Sequence, residues 1–301
     1  MTRICVVGLC YWGSKVVEEY VSLREEGEID EVVACDIDPD RLSEVENVDD
    51  KVSDVEEILS SIDGIHICTK SQTHTPIAMT AMDAGADVLV EKPMTVDSTE
   101  AFDLVEHASQ TGRVLQTGHI FRFANIVRQL RDLVADNYFG EPYYYDIEWT
   151  HRIEPRFDEG VLWDLLTHPI DILNFVTDTW PEPVSGSVSQ YRTDTDEAAT
   201  VHLDGGGVTA NIHVSWLDPV RRRTFQVVGE QRTGVAHCTN QRLMIHEDGD
   251  SFEYGIKPNN TIQTEAQNFV KAIRTGENQF NSAVVGARAV NLIEEISNKI
   301  R

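Results

Sequence analysis

An apolar run closing in Gly8, followed five residues later by Gly13 in "GLCYWG", marks a strand handing over to a helix. A tight glycine turn at a helix N-terminus offers backbone N–H groups and a positive dipole end to a pyrophosphate. Cys10 stands where the fingerprint G-x-G-x-x-G has its second glycine, with Tyr11 and Trp12 before Gly13. A cysteine restricts positive φ and adds bulk, so weaker dinucleotide binding is the expectation. A reactive thiol at the helix start is the alternative for Cys10, though no histidine–cysteine arrangement accompanies it. Asp36 ends the next strand-like run, "EVVACDID", where a carboxylate accepts from adenine ribose hydroxyls and disfavours a 2′-phosphate. With no arginine at 37 or 38, and Arg41 further on, NAD is expected rather than NADP; an ordinary strand-end turn is the bland reading. Lys92, one of only seven lysines, ends a later run, "VEKP", where a nicotinamide ring would lie. Asp164 and His168 are four apart in "GVLWDLLTHPID", on one side of a helix.

The elements that must position these residues alternate through the first ~119 positions, strand then helix. The strand-like runs are "RICVVG", "EVVACDID", "GIHICT", "DVLVEKP" and "VLQTGH"; between them lie helical patterns, including "DVEEILSSID" with Asp54 as its cap. Repeated βα units with apolar strands predict a doubly wound parallel sheet of Rossmann type over 1–119. From 120 to 301 the pattern changes. A helix, a long strand "PYYYDIEWT" and an apolar helix "VLWDLLTHPIDILNFV" precede a series of strands to about residue 255, then helices return. Short turns between those strands predict a mainly antiparallel sheet with helices, an α+β domain. Pro169 removes a helical hydrogen bond to Leu165 and is expected to kink the helix beside His168. Strand periodicity places the run Arg221-Arg222-Arg223 on a sheet surface or subunit interface rather than in a site.

In five places the chain resembles the Gfo/Idh/MocA (glucose–fructose oxidoreductase / inositol dehydrogenase) family: the glycine turn, "ICTKSQTH" at 67–74, "EKP" at 91–93, "QTGHIFRF" at 116–123 and D-x-x-x-H at 164–168. The resemblance implies an NAD(P)-dependent dehydrogenase acting on a sugar or polyol CH–OH, with residues 120–301 as a substrate-binding and oligomerisation domain on a large open antiparallel sheet. "GHIFRF", "WDLLTHPIDIL" and "ANIHVSWLDP" look most like members acting on nucleotide-linked sugars, such as UDP-N-acetylglucosamine 3-dehydrogenases. By that resemblance Lys92, His168 and Asp164 are catalytic. His168 is the general base, since imidazole titrates near neutrality. Lys92 stabilises a developing alkoxide, and Asp164 orients substrate or His168. The cofactor-binding set is Gly8, Cys10, Tyr11, Trp12, Gly13, Asp36, Thr69, Thr73, His74, Glu91, Lys92, Pro93 and Gln116, with Pro93 following a cis bond. The substrate set is His119, Arg122, Asn125, Arg152, Arg156, Asp164 and His168. A salt bridge is the alternative for Arg122, and pairing with Glu154 or Asp158 is the alternative for Arg152 and Arg156.

Fifty-one acidic residues against 25 basic give a net charge of −26, dispersed along the chain. No basic stripe exists to neutralise phosphates, which excludes nucleic-acid binding. No apolar run reaches the roughly 18 residues of a membrane helix, and no signal peptide is read, so a cytoplasmic protein is expected. Dispersed acid with few lysines fits a salt-adapted cytosol; an ordinary acidic protein is the alternative. The five cysteines are scattered without C-x-x-C, as free thiols, and no metal site is expected. A homodimer or homotetramer through the open sheet is expected. An inositol, polyol or diol dehydrogenase, or a non-catalytic NAD-binding regulator, remain as alternatives.

Overall fold

The computed structural model describes residues 1–154, 160–277 and 280–301. The chain forms two compact units, residues 1–120 with 260–290, and residues 121–259 with 291–301.

The first unit is built on a six-stranded sheet of β1 (Arg3–Val7), β2 (Glu31–Cys35), β3 (Asp50–Val52), β4 (Gly64–Ile67), β5 (Asp87–Glu91) and β6 (Leu115–Gly118). Its order is 3-2-1-4-5-6 and every pairing is parallel. The order reverses at β1, which puts the Gly8 turn at the switch point where such sheets bind ligands. The crossovers carry α1 (Tyr11–Glu25), α2 (Pro39–Glu44), α3 (His74–Asp83) and α4 (Ser98–Thr111). Val16, Val17, Tyr20 and Leu23 of α1 recur at helical spacing and bury against Ile4, Val6, Val32 and Ala34. Each such side chain contributes roughly 1.5–3 kcal/mol. Asp97 caps α4 by accepting from the Glu100 N–H, and Gly112, at φ +65°, closes it.

"DVEEILSSID" departs from the expected helix. It forms two short 3₁₀ turns, Val55–Glu57 and Leu59–Ser61. Asp54 does cap the first, accepting from Glu56 N–H. The Ser61 hydroxyl donates to the Ile58 carbonyl, a local competitor for the helical bond.

The second unit has α5 (Asn125–Ala135), β7 (Pro142–Thr150) and α6 (Thr167–Thr177), then β8 (Glu182–Ser189), β9 (Ala198–Gly205), β10 (Val208–Ser215), β11 (Arg222–Gly229), β12 (Thr233–His237), β13 (Arg242–Glu247) and β14 (Asp250–Tyr254). The sheet order is 14-13-12-11-7-10-9-8, antiparallel except between β7 and β10. One face buries Tyr145, Ile147, Trp149, Ile212, Val214, Phe225 and Val227. The other presents Asp146, Glu148, Asn211 and His213. Before α6 the chain makes a π turn, Leu162–Leu166. Leu165, whose carbonyl would have sought an N–H at Pro169, lies inside that turn.

The last helices are α7 (Thr261–Thr275) and α8 (Ala283–Ile300). The C-terminal helices were expected with the second domain, but residues 260–290 belong to the first unit. The reason is apolar: Ala266, Phe269 and Val270 of α7 complete the core around α1.

Candidate active site

The first unit carries the residues expected to bind the cofactor. Gly8 has φ +91°, and a Cβ there would meet the Cys68 carbonyl carbon and Thr69 N at 2.8 Å. A Cβ on Gly13 would lie 1.8 Å from the Gly8 carbonyl oxygen. Both positions therefore exclude a side chain. Cys10 does not: it is the N-cap of α1 at φ −69°, ψ −174°, ordinary extended backbone. Its exposed side chain turns aside, with Sγ 3.8 Å from the Cys68 carbonyl oxygen. The expected steric penalty at the second glycine position has no backbone basis here. Tyr11 is exposed beside it. The turn, its close backbone approach and the α1 N-terminus fit a dinucleotide pyrophosphate.

Asp36 is buried at the end of β2 and accepts from Leu9 N–H at 2.6 Å and Asp38 N–H at 2.9 Å. It thus braces the glycine turn. Arg41 reaches back to it, Nη1 lying 3.5 Å from Oδ2. Beyond β4, the Thr73 hydroxyl donates to Thr69 Oγ1. His74 is buried with Nδ1 3.1 Å from the Met94 carbonyl oxygen and Nε2 3.2 Å from that of Thr69. It ties together the segments following β4 and β5. Burial holds its imidazole below its ordinary pKa against the pull of those carbonyls.

Glu91, at the end of β5, is the hub of this set. It accepts from the Trp12 indole N–H and from Lys92 N–H, and His66 Nε2 lies 3.3 Å from Oε1. His66 Nδ1 in turn lies 3.3 Å from the Tyr20 hydroxyl. Burial pushes the Glu91 carboxyl up, but His66, Trp12 and Lys92 together leave it below the usual carboxylate range. His66 was not expected from the sequence; a lone histidine in an apolar strand carries no spacing signal. His66, Cys68 and Glu91 bring three ligand atoms within 4.8 Å. The imidazole is engaged on both sides, by the Tyr20 hydroxyl and Glu91, and burial raises the Cys68 thiol. The Lys92–Pro93 bond is cis. Gln116 is fully buried, its amide donating to Asn268 Oδ1 at 3.3 Å, and His119 is buried one residue beyond β6.

The second unit carries Asp164 and His168. From Gly160 through Val176 every residue is buried except Asp164 and His168. The Trp216 indole N–H donates to Asp164 Oδ2 at 2.8 Å. The His168 ring is held edge-on by Phe121, centroids 5.1 Å apart, and tilted against Trp149 at 5.6 Å. An otherwise buried helix therefore presents one carboxylate and one imidazole, each fixed by aromatic neighbours.

Four more of the expected substrate residues are Arg122, Asn125, Arg152 and Arg156. Arg122 is buried in an ion pair, Nε 2.5 Å from Asp171 Oδ1 and Nη2 2.8 Å from Asn174 Oδ1. The pairing is the salt bridge that the sequence offered as the alternative for this residue, and removing Arg122 would leave the Asp171 carboxylate uncompensated inside the unit. Asn125 spends its side-chain amide on the Lys257 carbonyl and its N–H on Asn259 Oδ1. Arg152 is exposed, while Arg156 lies outside the described residues. Arg223, placed on a sheet surface by periodicity, instead points to the buried face. Its guanidinium stacks 4.7 Å over Trp149.

Residues 2–119 match the profile described as "Oxidoreductase family, NAD-binding Rossmann fold", and residues 127–234 match "GFO/IDH/MocA C-terminal domain". The chain is 28% identical over 248 residues to a UDP-N-acetylglucosamine 3-dehydrogenase of Acidithiobacillus ferrooxidans, covering 78% of each chain. A 1,5-anhydro-D-fructose reductase of Ensifer adhaerens is 26% identical, covering 79% of this chain and 80% of that one. A solved structure of the Acidithiobacillus ferrooxidans enzyme superposes with a TM-score of 0.85 at 25% identity, over 99% of this chain and 97% of that one. The two matched profiles together take in most of the chain, and with the glycine turn, Glu91-Lys92-Pro93 and the Asp164/His168 pair they make it a member of the Gfo/Idh/MocA family of oxidoreductases.

Proposed function

We propose that the protein is an NAD-dependent dehydrogenase acting on a secondary hydroxyl of a nucleotide-linked sugar of the UDP-N-acetylglucosamine type. The observation that carries this reading is that Asp164 and His168 alone are only half-buried on an otherwise buried helix, in a chain that also keeps the glycine turn and Glu91-Lys92-Pro93. Bound NAD would accept a hydride from the carbinol carbon. The chain's own residues do the rest. His168 takes the hydroxyl proton, its ring oriented by Phe121 and Trp149. Asp164, anchored by Trp216, orients the substrate or the imidazole. Lys92 supplies positive charge to the developing alkoxide, its backbone held by Glu91.

Asp36 supports NAD over NADP: its buried carboxylate would meet a 2′-phosphate with like charge. Arg41 beside it would soften that repulsion, so preference rather than exclusion is expected. The same reading includes a salt-adapted cytoplasmic protein, with pairing into a dimer or tetramer through the polar face of the second sheet.

The test is NADH formation across a panel of UDP-sugars, free sugars and inositols, alongside NAD affinity by calorimetry. Lys92→Ala and His168→Ala are expected to abolish turnover while NAD still binds. Turnover unchanged in both variants would remove these roles, and NAD binding without turnover on any sugar would point to the regulator instead.

A further inference from the structure

Three consecutive arginines, Arg221 before β11 and Arg222 and Arg223 on it, do different things. Arg222 turns to the polar face and pairs with Asp218 and Glu148. Arg223 turns the other way and is 8% exposed. It stacks on Trp149, the indole that also holds His168, and its Nη2 lies 3.4 Å from His151 Nδ1. Its Nε and Nη1 find no hydrogen-bond partner among the described residues. Two N–H groups of a buried cation without an acceptor are expensive. The neighbouring charges confirm the shortage of counter-charge. Burial and Arg221 pull the Arg223 guanidinium down to about 9, and Asp164 opposes them only in part. Arg221 is exposed and makes no ion pair among the described residues, in a chain of net charge −26. The ladder pairs Arg222 with Thr150, so His151 and Arg152 leave β7 at the end where Arg221 enters β11.

We infer that Arg223, with Arg221 at its mouth, is an anion subsite for the substrate, taking an oxyanion group attached to the sugar whose hydroxyl meets His168 and Asp164. The geometry suits it. A planar guanidinium with partnerless N–H groups at Nε and at Nη1, which lie on different edges, offers a charge-assisted donor on either edge to a carboxylate or phosphoryl oxygen. An incoming oxyanion satisfies an orphaned donor on the edge it meets. Its binding energy is therefore larger than that of a surface contact, and a sugar lacking the anion leaves the donors unpaired. The inference deepens the dehydrogenase reading, since it supposes that the ligand is the sugar substrate. The source of the oxyanion is a phosphoryl group of a nucleotide-sugar or the carboxylate of a uronic acid.

Calorimetry on the whole protein, without turnover, tests it with three probes: UDP-N-acetylglucosamine, glucuronate and neutral N-acetylglucosamine. In the native protein one anionic probe should bind more tightly than the neutral sugar. Arg223→Gln should weaken that probe by about 10- to 100-fold, the range for hydrogen bonds to a charged partner, and leave the neutral sugar unchanged. Arg223→Lys should fall between, and Arg221→Gln should give a smaller loss. Loss confined to the UDP-sugar assigns a phosphoryl group; loss confined to glucuronate assigns a carboxylate. Equal loss for the neutral sugar, or no native preference for either anion, overturns the subsite. If Arg223→Gln does not fold, unchanged anion affinity in both Arg223→Lys and Arg221→Gln overturns it too. Anion binding through Arg223 without NADH formation would sink the dehydrogenase reading and leave the subsite standing; turnover with Arg223-independent affinity would do the reverse.

Discussion

A methyl group on Gly13 would sit 1.8 Å from the Gly8 carbonyl oxygen, whereas Cys10 occupies ordinary extended backbone with its thiol turned aside. Gly13→Ala must push α1 off β1, a strain of about 1–3 kcal/mol, and should lower both melting temperature and NAD affinity. Cys10→Gly should change NAD affinity by no more than about threefold, since glycine and small polar caps differ by only tenths of a kcal/mol. A large gain on Cys10→Gly would show that the thiol does crowd the pyrophosphate. His74 gives a pH prediction. Burial depresses its folded pKa, so the unfolded chain binds the extra proton more readily. Stability should then be intact above the ordinary imidazole value of about 6.5 and fall as the pH drops through and below it. Urea titrations at stepped pH should show that slope, and His74→Asn should flatten it; an unchanged slope would assign the loss to other groups.

The π turn before α6 is the element that sets the proposed catalytic pair, Asp164 and His168. With Pro169→Ala, a residue-169 N–H becomes available to the Leu165 carbonyl and a regular helix competes with the π turn. His168 would then leave its seat between Phe121 and Trp149. Turnover should fall about 10-fold or more while the melting temperature holds or rises, because misplacing a catalytic group is costly even when folding is not. Unchanged turnover would make the turn a packing feature alone. Proline chemistry let the sequence signal an irregularity here, but not its form, which depends on how the buried helix meets its sheet. The same division recurs elsewhere. Strands with strong apolar runs, such as β1 and β5, were legible because both faces are covered. The short β3 and the exposed β14 were not, having little to bury. Arg122 and Arg223 show the limit at the site. Type and spacing marked both as cations, yet only the placement of Asp171 beside one and Trp149 beneath the other decided which is satisfied and which awaits an anion.

At the scale of the whole chain, 51 acidic residues against 25 basic make self-repulsion a term in stability. At 0.1 M salt the screening length is about 10 Å, so neighbouring surface carboxylates still repel; near 1 M it is about 3 Å and they do not. The compact state concentrates that charge more than the unfolded chain does, so salt should favour folding. The melting temperature in 2 M potassium chloride should exceed that in 0.1 M by several degrees. Screening depends on ionic strength, whereas surface exclusion depends on the anion, so sulfate at matched ionic strength separates the two. Equal shifts in chloride and sulfate assign the effect to charge. A much larger shift in sulfate assigns it to exclusion, and no shift in chloride would mean that the acidic excess is tolerated rather than used, ending the salt-adapted reading.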